Sequence, residues 1–238
     1  MRIAAITAVY NEEDLIGQYL DHYGPEVDRV FLLDNGSTDR TLEIAKDRAS
    51  VEISAFPWLK YDFNPPKHDA TMAARKRAVG AFDIVLLVDI DELIVPCAGG
   101  RIRDTLEKLP RTDVYRCKGF MMCPGPGETA YDPGRPLLEQ RRWGYPDPLY
   151  SKPAIVRPES SAIFHLGIHQ VTNIRKDQMS SGEFLLLHYM APDEDIFVRR
   201  RMKNELRNLE PQARRTDASW RETFRSLARH QLFGRVLP

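Results

Sequence analysis

This 238-residue chain predicts an α/β fold, a mostly parallel sheet covered by helices on both faces, with an α+β half and C-terminal helices added to it. Three observations predict it. Apolar, β-rich runs alternate with helical stretches through the first 95 residues. The runs are apolar without interruption, as in strands buried on both faces. Each run also ends in a polar or acidic cluster, at the edge where sheets of this kind bind ligands.

The elements follow in order. "RIAAITAVY" (2–10) reads as a strand, and "NEEDLIGQYLDHYG" (11–24) as a helix with Asn11 as N-cap, acids in the first turn and Leu15, Tyr19 and Leu20 at helical spacing. "RVFLLD" (29–34) is a second strand, "NGSTD" (35–39) a turn and "TLEIAKDRA" (41–49) a second helix. "VEISAFP" (51–57) is a third strand, "DATMAARKRAVGAF" (69–82) a helix and "DIVLLVDIDELIV" (83–95) a fourth strand. Beyond Pro96 the order changes: a helix at 102–110, a strand at 113–124, a Pro/Gly loop at 124–136, and strand-like pieces at 152–158, 161–172 and 184–190. Two helical stretches, 193–209 and 218–233, complete the chain. The expected organisation is a first half (1–96), a second half of the same domain (97–192) and basic C-terminal helices (193–238).

Composition excludes several function classes. Lys plus Arg and Asp plus Glu are each 34, so nothing global argues for a nucleic-acid partner. Three cysteines, Cys97, Cys117 and Cys123, form no C-x-x-C pair and suit free thiols in a reducing compartment. The apolar run near Met1 is too short for a signal or spanning segment, so a cytoplasmic protein is expected.

The stretch "LLVDIDELIVP" (86–96) sets three acids at the end of a core strand. On a continuous strand side chains alternate, so Asp89 and Asp91 face one way and Glu92 the other. The paired acids either share one ligand or face water at a turn. Asp34 closes the second strand in the same manner, and the third ends in the aromatic and basic "FPWLKYDFNPPKH" (56–68).

"TAVYNEED", "LLDNGSTDRT" and "LLVDIDE", in this order and spacing, resemble the nucleotide-diphosphosugar half of family 2 glycosyltransferases. The resemblance implies the GT-A fold, a Rossmann-like sheet with an acceptor half. "SKPAIV" and "LLLHYM" are similar to segments of bacterial members with a D-x-D-E motif, a Lys-Pro strand and a late His-Tyr. By this resemblance Thr7, Ala8 and Tyr10 lie near the nucleotide base, Glu12 near the ribose, and Asp34 bonds the base. Asp89 reaches ribose or metal, and Asp91 binds a divalent cation, Mn²⁺ or Mg²⁺, that bridges the phosphates. His188 completes the metal site, or is a satisfied core residue. Lys67 and Arg75 add phosphate charge, or are solvated helix ends.

The implied reaction is transfer of a sugar from a UDP- or GDP-type donor to the hydroxyl of a glycan or lipid-linked acceptor, inverting and non-processive. No familiar acidic pair follows the D-x-D, so the base stays open among Glu128 and Asp132 of the 124–136 loop and His169. His165 and His169, four apart, share one face if the segment is a strand. "EQRRWG" (139–144) is one residue short of a processive acceptor motif and is not carried over. Arg199, Arg200, Arg201, Lys203, Arg207, Arg214 and Arg215 form either a solvated helix face or a peripheral contact with anionic membrane or acidic glycan. The competing functions are a sugar-phosphate nucleotidyltransferase, which wants a Gly-rich basic loop after the first strand, and a non-catalytic nucleotide-sugar-binding protein, which would lack a metal acid.

Overall fold

The computed structural model describes residues 1–48, 50–57, 64–209, 213–230 and 232–237. Its first half is the alternating unit that the apolar runs predict. β1 (Ile3–Val9), α1 (Ile16–Tyr23), β2 (Arg29–Asp34), α2 (Thr41–Lys46), β3 (Val51–Ala55), α3 (Asn64–Ala78) and β4 (Ile84–Leu87) follow one another. β4, β1, β2 and β3 lie side by side in that order, each pair parallel, so the C-terminal ends of all four share one edge. α3 starts at Asn64, five residues before the sequence pattern suggests, because Pro65 and Pro66 are tolerated in a first turn where no intrahelical N–H is needed. Of the aromatic segment 56–68, residues 58–63 lie outside the described residues.

The predicted strand 83–95 is two strands. β4 stops at Leu87 and β5 runs from Glu92 to Pro96. Between them the backbone turns, with Glu92 N–H donating to the Asp89 carbonyl at 3.0 Å. The period-2 reading assumed continuity that this turn interrupts. Asn11 is likewise no N-cap. It sits at φ 51°, and its side-chain oxygen accepts from Thr38 N–H at 2.7 Å, tying the loop after β1 to the loop after β2. The acids that follow Asn11 thereby stay outside α1.

The second half extends the same sheet. α4 (Ile102–Lys108) leads to β6 (Val114–Cys123), α5 (Leu137–Gln140), β7 (Trp143–Pro146), β8 (Ile155–Val156), β9 (Ile163–Phe164), β10 (Val171–Thr172) and β11 (Met179–His188). β8 joins β4 to β6 by antiparallel pairing, and β11 lies between β6 and β5. β9 and β10 form a separate hairpin with His165 and His169 in its connection, so they do not share a strand face. α5 and β7 fall in a Gly- and Arg-containing stretch without a clear apolar period. α6 (Glu194–Asn208) and α7 (Asp217–Leu227) match the two C-terminal helices, and β12 (Gly234–Arg235) pairs with β7. No described helix is long and apolar enough to cross a membrane.

Alternation along the strands divides the core into two layers. Ile3, Ala5 and Val9 pack with Tyr19 and Tyr23 of α1, while Ala4 and Ile6 pack with Ala74 and Ala78 of α3. A third cluster, Phe197 and Val198 with Trp220 and Phe224, holds α6 and α7 against Ala191. One ion pair lies inside: Lys152 Nζ is 2.5 Å from Glu92 Oε2, each side chain 1% exposed. Burial opposes the Lys152 charge, and Glu92 more than offsets it, raising the ammonium pKa. Removing one partner strands the other, so Lys152→Met should lower unfolding free energy by about 3–5 kcal/mol. Adding Glu92→Gln, which still accepts from the Asp89 amide, should recover much of the loss in urea unfolding.

Candidate functional site

The sheet edge predicted to bind ligand carries a cleft, and each wall comes from a different element. The end of β1 supplies Ala8, Tyr10 and Glu12, and the β4–β5 turn supplies Asp89 and Asp91. α3 supplies Lys67, and β11 ends at His188, opposite Glu92 in the pairing register. α6 closes the top with Arg200, Asn204 and Arg207. Two cavities meet here, of about 240 Å³ on the Tyr10 side and about 220 Å³ on the His169 side. Lys67, Asp89, Asp91, Arg200 and Asn204 line both and form the joint.

Every acid at the joint has a cation. Lys67 Nζ lies 2.7 Å from Asp89 Oδ1. Arg200 bridges Glu12 (2.8 Å) and Asp91 (2.9 Å), and Lys203 adds a second contact to Glu12 at 2.9 Å. His188 Nε2 lies 3.3 Å from the same Asp91 Oδ2 that Arg200 contacts. Burial alone would raise the pKa values of both aspartates. Lys67 and Lys152 overcome it at Asp89, bringing the carboxyl to about 2, and Arg200 with His188 hold Asp91 well below the usual carboxylate range. Burial alone would lower the Arg200 pKa, and Glu12 and Asp91 outweigh it and raise the guanidinium above its ordinary value. On the other side, the Tyr150 ring lies 3.9 Å from the His188 ring, and burial pushes its phenol up to about 12. His169 stands edge-on to Tyr150 at 5.7 Å, its pKa lowered by burial and by Lys152.

The cleft gathers most of the residues the sequence singled out, and several fall elsewhere. Ala8, Tyr10, Glu12, Lys67, Asp89, Asp91, His169 and His188 line it. Asp34 lies at its margin, its carboxylate accepting from Gly36 N–H (3.1 Å) and Ser37 N–H (3.0 Å), while the adjacent Asn35 carbonyl accepts from Arg207 at 2.7 Å. Thr7 is 1% exposed beside Tyr19, in the opposite core layer from Ala8, and does not reach the cleft. Arg75 donates to the carbonyls of Ser160 and Ala162 and pins that segment to α3. Glu128 accepts from the amides of Gly125 and Arg142, and Asp132 from that of Gly134, so both serve their own loop. Glu92 faces the scaffold, as expected.

The sequence reading missed Tyr150, Arg201 and Asn204 as cleft residues and misassigned the basic run. Arg200, Lys203 and Arg207 lie on one helix face, spaced three and four apart, and all turn inward; Arg207 stacks 3.4 Å from the Tyr10 ring centroid. Arg199 pairs with Asp14, Arg214 caps α6 carbonyls, and Arg215 packs over Trp220. Arg200, Arg201, Lys203 and Arg207 of the basic stretch roof the cleft, whereas Arg199, Arg214 and Arg215 lie outside it. An excess of acids near the ends of β1 and β4 was the available signal that a cationic element must cover them.

Asp91 and His188 present an oxygen and a nitrogen donor side by side, a pair that suits Mn²⁺ or Mg²⁺ with positions left for oxygen atoms of a bound ligand. Among the described residues no group of three or more His, Cys, Asp or Glu side chains could hold a metal ion, so the expected set of Asp89, Asp91 and His188 does not converge: Asp89 is paired with Lys67 and only Asp91 and His188 lie side by side.

Residues 4–118 match the sequence model of glycosyl transferase family 2. An undecaprenyl-phosphate 4-deoxy-4-formamido-L-arabinose transferase of Aeromonas hydrophila subsp. hydrophila is 27% identical over 124 residues, half of this chain and 34% of the relative. Thus the chain spans about a third of the length of that curated relative. Among solved structures, a mycobacterial protein is 20% identical with a TM-score of 0.47, covering 89% of this chain and 76% of its own. Glucosyl-3-phosphoglycerate synthase from Mycobacterium tuberculosis, in complex with Mn²⁺, UDP and glucosyl-3-phosphoglycerate, is 20% identical with a TM-score of 0.36, covering 50% and 44%.

The depressed Asp89 pKa carries a stability signature. Because the folded value of about 2 lies below the ordinary 3.8, its contribution is present above pH 3.8 and is lost as pH falls toward 2. Lys67→Met should weaken that depression. Urea titrations should then show lower stability at pH 7 and a smaller further drop between pH 4 and 2 than in the wild type.

Proposed function

We propose, from the match of residues 4–118 to the model of glycosyl transferase family 2, that the chain moves a sugar from a nucleotide-diphosphosugar donor to an acceptor hydroxyl. The observation that carries this reading is the pair of joined cavities with Asp89 and Asp91 at their junction. The nucleoside occupies the Tyr10 cavity, the diphosphate lies at the junction, and the acceptor enters the His169 cavity. Asp34 acts through the turn it holds at the nucleoside margin, and Glu12 faces the ribose side. Arg207, stacked on Tyr10, borders the base.

Asp91 and His188 would hold Mn²⁺ or Mg²⁺, which would supply positive charge for the leaving diphosphate. The chain's own part is electrostatic and geometric. Lys67 and Arg200 are fixed cations already desolvated at the junction, so little reorganisation is needed as negative charge builds on the leaving group. His169 is the base. Glu128 and Asp132 are held in their loop, Asp89 and Asp91 are bound to cations, and burial leaves the His169 imidazole neutral at pH 7. The acceptor oxygen bonds to the anomeric carbon, its proton passes to His169, and the carbon–oxygen bond to the diphosphate breaks from the opposite face, with inversion. One sugar is transferred per encounter.

Thermal unfolding with UDP or GDP, with and without Mn²⁺, tests the donor site. A ligand at a hundred times its Kd should stabilise by about 2.7 kcal/mol, with metal present and not in Asp91→Asn. Absent or metal-independent stabilisation by every nucleotide would overturn the reading. His169→Gln should lower kcat by roughly 10²-fold or more while leaving nucleotide affinity unchanged. Because His169 is neutral above its lowered pKa and protonated below it, the acid limb of kcat/KM should lie below pH 6.5 and vanish in that variant.

A further inference from the structure

We propose that the acceptor is an anion and that Arg201 recognises its charge. The inference rests on the donor and acceptor assignment of the two cavities and adds the chemical class of the acceptor.

Arg201 lines the His169 cavity and not the Tyr10 cavity. Its neighbours are apolar: Nη2 meets the Met190 thioether, and the guanidinium lies 5.4 Å from the Phe197 ring centroid and 5.5 Å from that of Trp220. Nε is buried with no hydrogen-bond partner. Among the described residues no carboxylate lies within ion-pair distance of it, whereas Lys67, Arg200 and Lys203 each pair with an acid. Burial lowers the Arg201 pKa, and Tyr150, Asp91 and Glu205 do not offset it.

Charge counting around this cavity gives the same result. Among the described residues of the cavity wall, Lys67 offsets Asp89 and Arg200 offsets Asp91, which leaves Arg201 as a surplus cation. A half-buried guanidinium with no carboxylate in ion-pair range is unfavourable for the free protein, and an anion arriving in the cavity removes that penalty. The donor diphosphate is served at the junction by Lys67 and Arg200, leaving Arg201 for the other substrate. Its aromatic backing from Phe197 and Trp220 restrains the planar fork, which suits two-point recognition of phosphate or carboxylate. An acceptor bearing either group near its reactive hydroxyl would present that hydroxyl to His169, which lines the same cavity.

The test is calorimetric titration of the full chain, saturated with UDP and Mg²⁺, with inorganic phosphate and separately with acetate. Wild type should bind at least one of them, and preference between the two identifies a phosphate-bearing or carboxylate-bearing acceptor. Arg201→Gln should weaken that binding at least tenfold, and Arg201→Lys should retain part of it, with UDP affinity within twofold of wild type in both. Wild type that binds neither anion, or an Arg201→Gln protein that binds as wild type does, overturns the proposal. If UDP itself fails to bind, the donor reading fails separately, and the same titrations on the free protein decide whether Arg201 holds an anion. Should Arg201→Gln not fold, the comparison of Arg201→Lys with wild type stands alone, and equal affinities would overturn the fork as reader.

Discussion

The position of one buried carboxylate fixes the geometry of the cleft. Glu92 Oε2 takes the Lys152 ammonium and the Asp89 amide hydrogen, the latter at 2.7 Å, so the chain must leave β4 and turn before it can enter β5. That turn brings Asp89 and Asp91 to the joint between the cavities. The same residue pairs across the sheet with His188, which is why a histidine almost a hundred positions later in the chain arrives beside Asp91. A strand running straight through this region would present the two aspartates by alternation alone. It would leave Glu92 with no reason to be buried, and Lys152 with no partner.

Charge at this edge is balanced locally and not by solvent. Glu12, Asp89 and Asp91 are opposed by Lys67, Arg200 and Lys203, and the low carboxyl pKa values at Asp89 and Asp91 show that pairing outweighs desolvation. Such an arrangement adds little net stability, because the cost of burying ions offsets most of the Coulomb gain. What it provides is fixed polarity: the cations are held in place by acids before any phosphate arrives. A site assembled from flexible surface lysines would have to order them at the moment of binding, at the expense of affinity.

Much of this was legible in the sequence, for reasons that particular residues make plain. The parallel unit was visible because "AAITAV" and "RVFLLD" are apolar without alternation, and the acids Asp34, Asp89 and Asp91 each end such a run. Thr7 was misplaced although strand parity opposes it to Ala8 and so assigns it to the α1 layer. Glu128 and Asp132 were attractive because acidic residues in a Gly-rich loop look available. They are engaged by amides two to fourteen positions away, bonds that residue type does not reveal. The roles of Arg200 and Tyr150 were hidden for a different reason: their partners are distant in sequence, 109 positions in the case of Arg200 and Asp91, and only the closed fold brings them together.

That separation has a consequence for how the cleft is built. Its acids come from residues 12, 89 and 91, whereas two of the cations that neutralise them, Arg200 and Lys203, arrive on α6. Until α6 docks, Glu12 and Asp91 must remain hydrated, since burying them unpaired would cost several kcal/mol each. The Phe197, Trp220 and Phe224 cluster that seats α6 against Ala191 is therefore as much a part of the cleft as the residues that line it. Apolar burial holds the helix, the helix carries the cations, and the cations permit the acids to be dry. The first twelve residues and the last forty are thus bound into one electrostatic unit, although nothing in the local sequence of either announces the other.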